Sequence, residues 1–320
     1  MTGSALRGYS IAALGLLLTA CGSGSTGTVD TTLDDTVADT GTGTDAVSTA
    51  EVECTYSYSA FNSSPSVSMT STADWYCDAS LRWLSANGIP DHEVGTFPNA
   101  ANPNTISTQA VSASFSLAPV ESNNATQLGG PAGVVGYILN GIKMDPGTGG
   151  SCNDAGDDCD LGNGTGAWRI EALGQDSFDF GEDENNAHVQ PTGAYHYHGM
   201  PEGFITRLDK GTEMTLIGWA ADGFPVYARF GYTDPMDANS EVKVVESSFR
   251  LKTTPDANRP DVALYAMGTF NQDYEYVEDL GDLDECNGRY GVTPEFPEGI
   301  YHYYATETFP FLQRCVKGTL

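Results

Sequence analysis

From Glu51 onward the chain is built of short alternating runs of apolar and polar residues, broken by Gly, Pro and Asn. Val111-Ser112-Ala113-Ser114-Phe115-Ser116-Leu117 alternates with period two, as a strand with one buried face must, because successive side chains point to opposite faces. Gly133-Val134-Val135-Gly136-Tyr137-Ile138-Leu139-Asn140-Gly141 predicts a buried strand ending in a turn. The runs 215–221 and 224–230 flank Asp222-Gly223, a dipeptide that tolerates the backbone of a tight hairpin loop, so this stretch predicts a hairpin. Helix is scarce. Trp75, Leu81 and Leu84 predict one over 71–86, and 168–173 reads as a short turn of another. The fold class is therefore mostly β: an antiparallel, sandwich-like domain with long loops and few short helices.

The amino-terminal end follows a different pattern. Arg7 precedes the apolar run Ile11-Ala12-Ala13-Leu14-Gly15-Leu16-Leu17-Leu18, which is too short to span a bilayer and reads as an export signal over 1–20. It ends in Leu18-Thr19-Ala20-Cys21, similar to the bacterial lipobox, in which the Cys becomes the lipid-modified first residue of the mature protein. An ordinary signal peptide cut nearby is the other reading. Gly22 after Cys21 resembles lipoproteins sent to the outer membrane. Residues 21–50 are small, polar and acidic and cannot bury enough surface to repay their ordering entropy, so they predict a disordered spacer. Two folded stretches remain: 51–129, either part of the main domain or a small module, and the main domain, 130–320.

Charge narrows the partners. Lys and Arg number 14 against 43 Asp and Glu, a formal net charge of -29. Nucleic acid and anionic membrane surfaces both require cationic patches, so contact with a membrane is expected only through the lipid anchor. Seven cysteines fit an oxidising compartment. With Cys21 assigned to lipid, Cys54, Cys77, Cys152, Cys159, Cys286 and Cys315 can form three disulfides, and local closure favours pairing them in that order.

Candidate chemistry lies in five histidines. In a strand, residues two apart share a face ~6.6 Å apart, so His196 and His198 can converge on one ion while Tyr195 and Tyr197 pack the other way. His188, across the Pro191-Thr192-Gly193 turn, can return as a third ligand. Pro297-Glu298-Gly299-Ile300-Tyr301-His302-Tyr303 echoes Pro191-Thr192-Gly193-Ala194-Tyr195-His196-Tyr197, which offers His302 as a fourth; Tyr304 stands where the first copy has His198. Imidazole ligation suits copper or zinc. The same pattern also fits polar bracing beside a tyrosine cluster, with no ion. His92 reads as a surface-loop residue. Glu184, Asp222 and Asp284 are the candidate catalytic carboxylates, with turn chemistry the competing role for Asp222. The acidic loop 152–163, bearing Asp154, Asp157, Asp158 and Asp160, has the oxygen density for calcium without the spacing of an EF-hand.

Four ordered blocks carry a resemblance. They are Asn186-Ala187-His188-Val189-Gln190-Pro191, then Gly193-Ala194-Tyr195-His196-Tyr197-His198-Gly199, then 217–227, and finally Leu283-Asp284-Glu285-Cys286-Asn287-Gly288 leading to Tyr301-His302-Tyr303-Tyr304. Over residues 130–318 the chain resembles the YHYH family of exported bacterial proteins. The resemblance implies secretion or surface attachment and marks His188, His196, His198, Asp222, Asp284 and His302. It names no reaction. The expectation is a cell-envelope lipoprotein whose domain binds a divalent transition metal through clustered His, as a metal-dependent hydrolase or oxidoreductase or as a binding protein with a small-molecule or glycan ligand. The alternative is a metal-free structural or adhesive module that binds calcium or envelope glycans.

Overall fold

In the computed structural model, residues 48–128 and 133–320 are described. The export signal, the lipid-accepting Cys21 and nearly all of the 21–50 spacer lie outside the described residues, which belong to one unit, Thr44–Leu320. A four-stranded antiparallel meander comes first: β1 (Ser57–Asn62), β2 (Met69–Cys77), β3 (Leu81–Ala86) and β4 (Val111–Ser116). The helix expected over 71–86 does not form. Ser71, Ala73 and Trp75 are buried while Asp74 and Tyr76 are exposed, which is period two; Trp75 and Leu84 face each other across a β2–β3 hairpin. Their spacing mimicked a helical face only because a turn separates them. Trp75 and Leu84 share one hydrophobic core with Ile138, Trp219 and Tyr303, and the Trp75 indole N–H donates to the Leu139 carbonyl (2.8 Å).

After β5 (Glu121–Gln127) the chain enters the main sheet with β6 (Gly136–Ile138) and β7 (Lys143–Met144). A small three-stranded sheet of β8 (Ser151–Cys152), β9 (Cys159–Asp160) and β10 (Trp168–Arg169) interrupts it, so the helical turn expected at 168–173 begins as strand instead. The main sheet resumes with β11 (Ala187–Val189) and β12 (Tyr195–Tyr197). The α-helix α1 (Glu202–Leu208) follows, unforeseen in the sequence because only Phe204 along it is buried. The expected hairpin is β13 (Thr215–Ala220) paired antiparallel with β14 (Pro225–Ala228) around Asp222-Gly223. Two ribbons come next, β15 (Phe230–Tyr232) with β16 (Val242–Val244) and β17 (Phe249–Leu251) with β18 (Tyr274–Tyr276). β19 (Gly288–Gly291) and β20 (Ile300–Ala305) complete the main sheet, and β21 (Cys315–Gly318) pairs back with β5.

The main sheet has the order β11-β12-β7-β6-β13-β14-β20-β19, antiparallel except for β12 with β7 and β14 with β20. Its centre is β6 against β13, with β13 buried throughout and the buried Trp219 opposite the partly buried Tyr137. Disulfides join Cys54 to Cys77, Cys152 to Cys159 and Cys286 to Cys315, each linking one cysteine to the next cysteine along the chain. Three such bonds indicate an extracytoplasmic protein, since reducing compartments keep thiols free. Among the described residues no helix is long and apolar enough to cross a membrane.

Candidate metal centre

Strands β11 and β12 lie at one edge of the main sheet, antiparallel, with His188 directly opposite His196. Alternation along β12 sends Tyr195 and Tyr197 into the core and turns His196 and His198 to the other face. The tyrosines hold that orientation through buried hydrogen bonds. Tyr195 Oη donates to Asp183 Oδ2 (2.8 Å), and Tyr197 Oη accepts from Asn140 Nδ2 (3.0 Å) and lies 2.5 Å from His92 Nε2. His92 is thus buried and part of this network, which corrects its reading as a surface-loop residue. The backbone N–H of His198 donates to the Asn186 carbonyl (2.8 Å), which fixes the third ring just past the strand end.

The three rings form a near-equilateral triangle. Ring centres of His188 and His196 are 4.7 Å apart, and those of His188 with His198 and His196 with His198 are 4.6 Å apart. One ligand nitrogen from each lies within 4.8 Å of the others. Every Nδ1 faces a backbone carbonyl: Phe180 for His188 (2.9 Å), Ala194 for His196 (3.4 Å) and Pro146 for His198 (3.3 Å). A carbonyl only accepts, so these partners place the ring proton on Nδ1 and leave a lone pair on each Nε2. Carbonyls that orient metal-ligating imidazoles act in this way.

The Nε2 atoms of His188 and His198 then face each other at 3.1 Å. Two lone pairs at that distance repel. A proton between them would require a ring that is protonated on both nitrogens, or an Nδ1 turned bare toward a carbonyl. Burial, and then the neighbouring imidazoles, push His196 well below the ordinary imidazole range; burial and His188 do the same to His198, and burial lowers His188. Desolvation disfavours the charged ring. A cation held between the rings would resolve the conflict, and the triad is able to hold one.

Beside the rings opens a cavity of about 490 Å³ lined by the three histidines and by Asn102, Asn104, Thr148, Gln190 and Phe180 among others. Among the described residues no charged side chain lines it. The three rings could hold a metal ion, and a ligand entering from this space could complete its coordination. The carboxylate that most favours a positive charge on His188 is Asp145, followed by Asp183. Asp145 Oδ2 accepts from Lys143 Nζ (2.9 Å) and from Gln190 Nε2 (3.1 Å), which ties it to the cavity wall. Neither Asp145 nor the cavity amides carries a motif: Asp145 comes beside the site because β7 lies parallel to β12, and Asn102 and Asn104 because their amides donate to the Val189 carbonyl.

The fourth expected ligand, His302, is placed elsewhere. It sits on β20, and four strands separate β12 from β20 in the sheet. At ~4.8 Å per strand spacing, that is on the order of 24 Å from His196. Its Nδ1 donates to the Ile300 carbonyl (2.8 Å) and its Nε2 accepts from Tyr304 Oη (3.0 Å). None of the three candidate carboxylates lines the triad cavity. Asp222 is buried (1% exposed) and accepts from Tyr303 Oη (2.6 Å) and the Gly318 N–H (2.8 Å), so it clasps β20 and β21. Asp284 accepts from Tyr301 Oη (2.8 Å) and from the N–H groups of Cys286 and Gly288. Glu184 is exposed beside a different cavity, with His92 and Arg207. In the acidic loop, Asp154 accepts from the Trp168 indole (3.1 Å), Asp157 from Asn153 (2.9 Å) and Asp160 from the N–H groups of Gly162 and Asn163. Those carboxylates serve the loop's own turns, and among the described residues they form no converging ligand group.

No curated protein and no solved structure matches the chain. The family described as YHYH protein matches residues 112–318, reaching back from the main sheet to include β4. That span is well over half of the sequence, and the chain belongs to the YHYH protein family.

Proposed function

We propose that the protein is an exported metalloprotein that holds one divalent transition ion, zinc or copper, on the Nε2 atoms of His188, His196 and His198. The observation that carries this reading is the 3.1 Å approach of two imidazole nitrogens whose other nitrogens both face carbonyl oxygens. Three neutral imidazoles, those of His196 and His198 buried and that of His188 partly so, are ready ligands and need not lose a proton to bind. When bound, such an ion with one position open supplies Lewis acidity and a water of lowered pKa, or redox chemistry in the case of copper. The chain's own contribution is orientation: carbonyls fix each ring, and the cavity admits the fourth ligand. Its wall of amides, hydroxyls and Phe180, without charged side chains, suits a small uncharged polar molecule or a glycan segment.

The same proposal gives the protein an address. Leu18-Thr19-Ala20-Cys21 supports lipid attachment at the cell envelope, with Gly22 favouring the outer membrane and 21–50 as the tether. The net charge of -29 supports contact with the membrane through the anchor alone and none with nucleic acid. Elemental analysis of protein purified without chelators tests the site. One zinc or copper ion per chain is expected, falling to a trace in H188A, H196A and H198A. Unchanged content in H196A and H198A would overturn the assignment.

A further inference from the structure

The main sheet reads the same from both ends. β6 and β7 are joined antiparallel by Asn140-Gly141 and pair Gly136 with Met144 and Tyr137 with Lys143. β13 and β14 are joined by Asp222-Gly223 and pair Gly218 with Val226 and Trp219 with Pro225. Superposing Gly136 on Gly218 therefore puts Tyr137 on Trp219, Lys143 on Pro225 and Met144 on Val226. Met144 pairs in parallel with Tyr197, and Val226 in parallel with Tyr303. On the outer strands Ala187, His188 and Val189 oppose Tyr197, His196 and Tyr195, while Gly288, Arg289 and Tyr290 oppose Tyr303, His302 and Tyr301. Across the centre the pairs Gly136–Ala220 and Ile138–Gly218 exchange under the same operation, with Tyr137–Trp219 on the axis.

Side chains follow the register. Asn140 donates to Tyr197 Oη in one half, and Asp222 accepts from Tyr303 Oη in the other. Asp183 accepts from Tyr195 Oη at 2.8 Å, and Asp284 from Tyr301 Oη at 2.8 Å. The turns entering β11 and β19 are Asp183-Glu184-Asn185-Asn186 and Asp284-Glu285-Cys286-Asn287, with Asn186 and Asn287 both at positive φ (54° and 62°). A register match over eight strands, a shared pair of Tyr–Asp bonds and a shared turn are one half-sheet built twice.

We propose that the metal position also occurs twice, and that the second copy is a latent transition-metal site closed by its own side chains. The register places Arg289 where the first copy has His188, His302 where it has His196 and Tyr304 where it has His198. His302 keeps the orientation of its counterpart: each Nδ1 faces the carbonyl two residues earlier, Ile300 or Ala194. Its Nε2 lone pair receives the Tyr304 O–H (3.0 Å). Arg289 supplies a fixed positive charge in place of an ion, with Nη2 donating to the Tyr232 carbonyl (2.8 Å). The β15–β16 ribbon covers the position, since a Cβ on Gly231 would collide with Tyr304 Oη and Arg289 Nη2. The first copy opens onto its cavity instead.

The proposal rests on the metal reading of the first copy, and the experiment separates the two. Wild type and R289H/Y304H are stripped with chelator, reloaded with zinc, desalted and analysed for zinc per chain, with far-ultraviolet circular dichroism to confirm the fold. Wild type is expected to hold one zinc ion and the variant two. A folded variant that holds one ion alongside a wild type that holds one overturns the latent site. A wild type that holds neither zinc nor, in a parallel reload, copper instead refutes the metal reading itself. The reciprocal variant H188R/H198Y writes the second copy's residues into the first. It is expected to fold and to hold no zinc; retained zinc, or failure of both variants to fold, contradicts the equivalence.

Discussion

Replacing His198 with Ala separates metal-linked stability from ordinary packing. The ring is buried (1% exposed), and large-to-small substitutions at such positions cost about 2–5 kcal/mol through lost contacts and the cavity left behind. In the metal-free protein part of that cost is offset, because the substitution removes the lone pair that faces His188 Nε2 at 3.1 Å. With ion present the balance changes. An ion that binds only the folded state at 100 times its dissociation constant adds about 2.7 kcal/mol. For a unit of this size each kcal/mol shifts the melting temperature by roughly 2–4 °C, so zinc should raise that of the stripped wild type by roughly 5–10 °C. Scanning calorimetry of stripped protein, with and without zinc, reads the difference. The zinc-dependent rise should vanish in H198A and persist in H302A, since His302 lies on the far side of the sheet. An equal rise in H198A and wild type would refute the reasoning, as would its loss in a folded H302A.

Asp222→Ala should destabilise the protein by roughly 2–6 kcal/mol, because the Tyr303 hydroxyl and the Gly318 N–H lose their buried acceptor, at about 1–3 kcal/mol each. Denaturant melts measure this, and metal content should be unchanged; loss of the ion from folded D222A would place the carboxylate in the site. Burial lowers His302 to about 3 in the folded protein. An unfolded histidine titrates near ~6.5, so the unfolded state binds the extra proton first and stability falls as pH drops from about 6.5 toward 3, by up to about 1.4 kcal/mol per pH unit. His302→Gln should lessen that slope by one proton in urea melts between pH 4 and 7, and identical slopes would contradict a neutral buried ring.

Strand alternation was legible wherever one run made one strand, as in β4 and the β13–β14 hairpin with its Asp-Gly turn. It misled at 71–86, where two strands and a short turn place Trp75, Leu81 and Leu84 at intervals that resemble a helical face. The pairing of His196 with His198 followed from strand geometry, and His188 from the turn between β11 and β12. The echo between 191–197 and 297–303 suggests proximity, which would bring His302 into the same site. The echo records equivalence instead: two copies related across the sheet centre hold their matching residues apart. The carbonyls that orient the rings leave no mark in the sequence, because every residue carries one.

The most direct measurement is anomalous X-ray diffraction from crystals of the zinc-loaded protein, collected on both sides of the metal's absorption edge. A single peak about 2.0–2.1 Å from the Nε2 atoms of His188, His196 and His198, with density for a fourth ligand on the cavity side, is the expected result. An ion held through the Nδ1 atoms, an ion at His302 in the wild-type chain, or no peak between the three rings would contradict it.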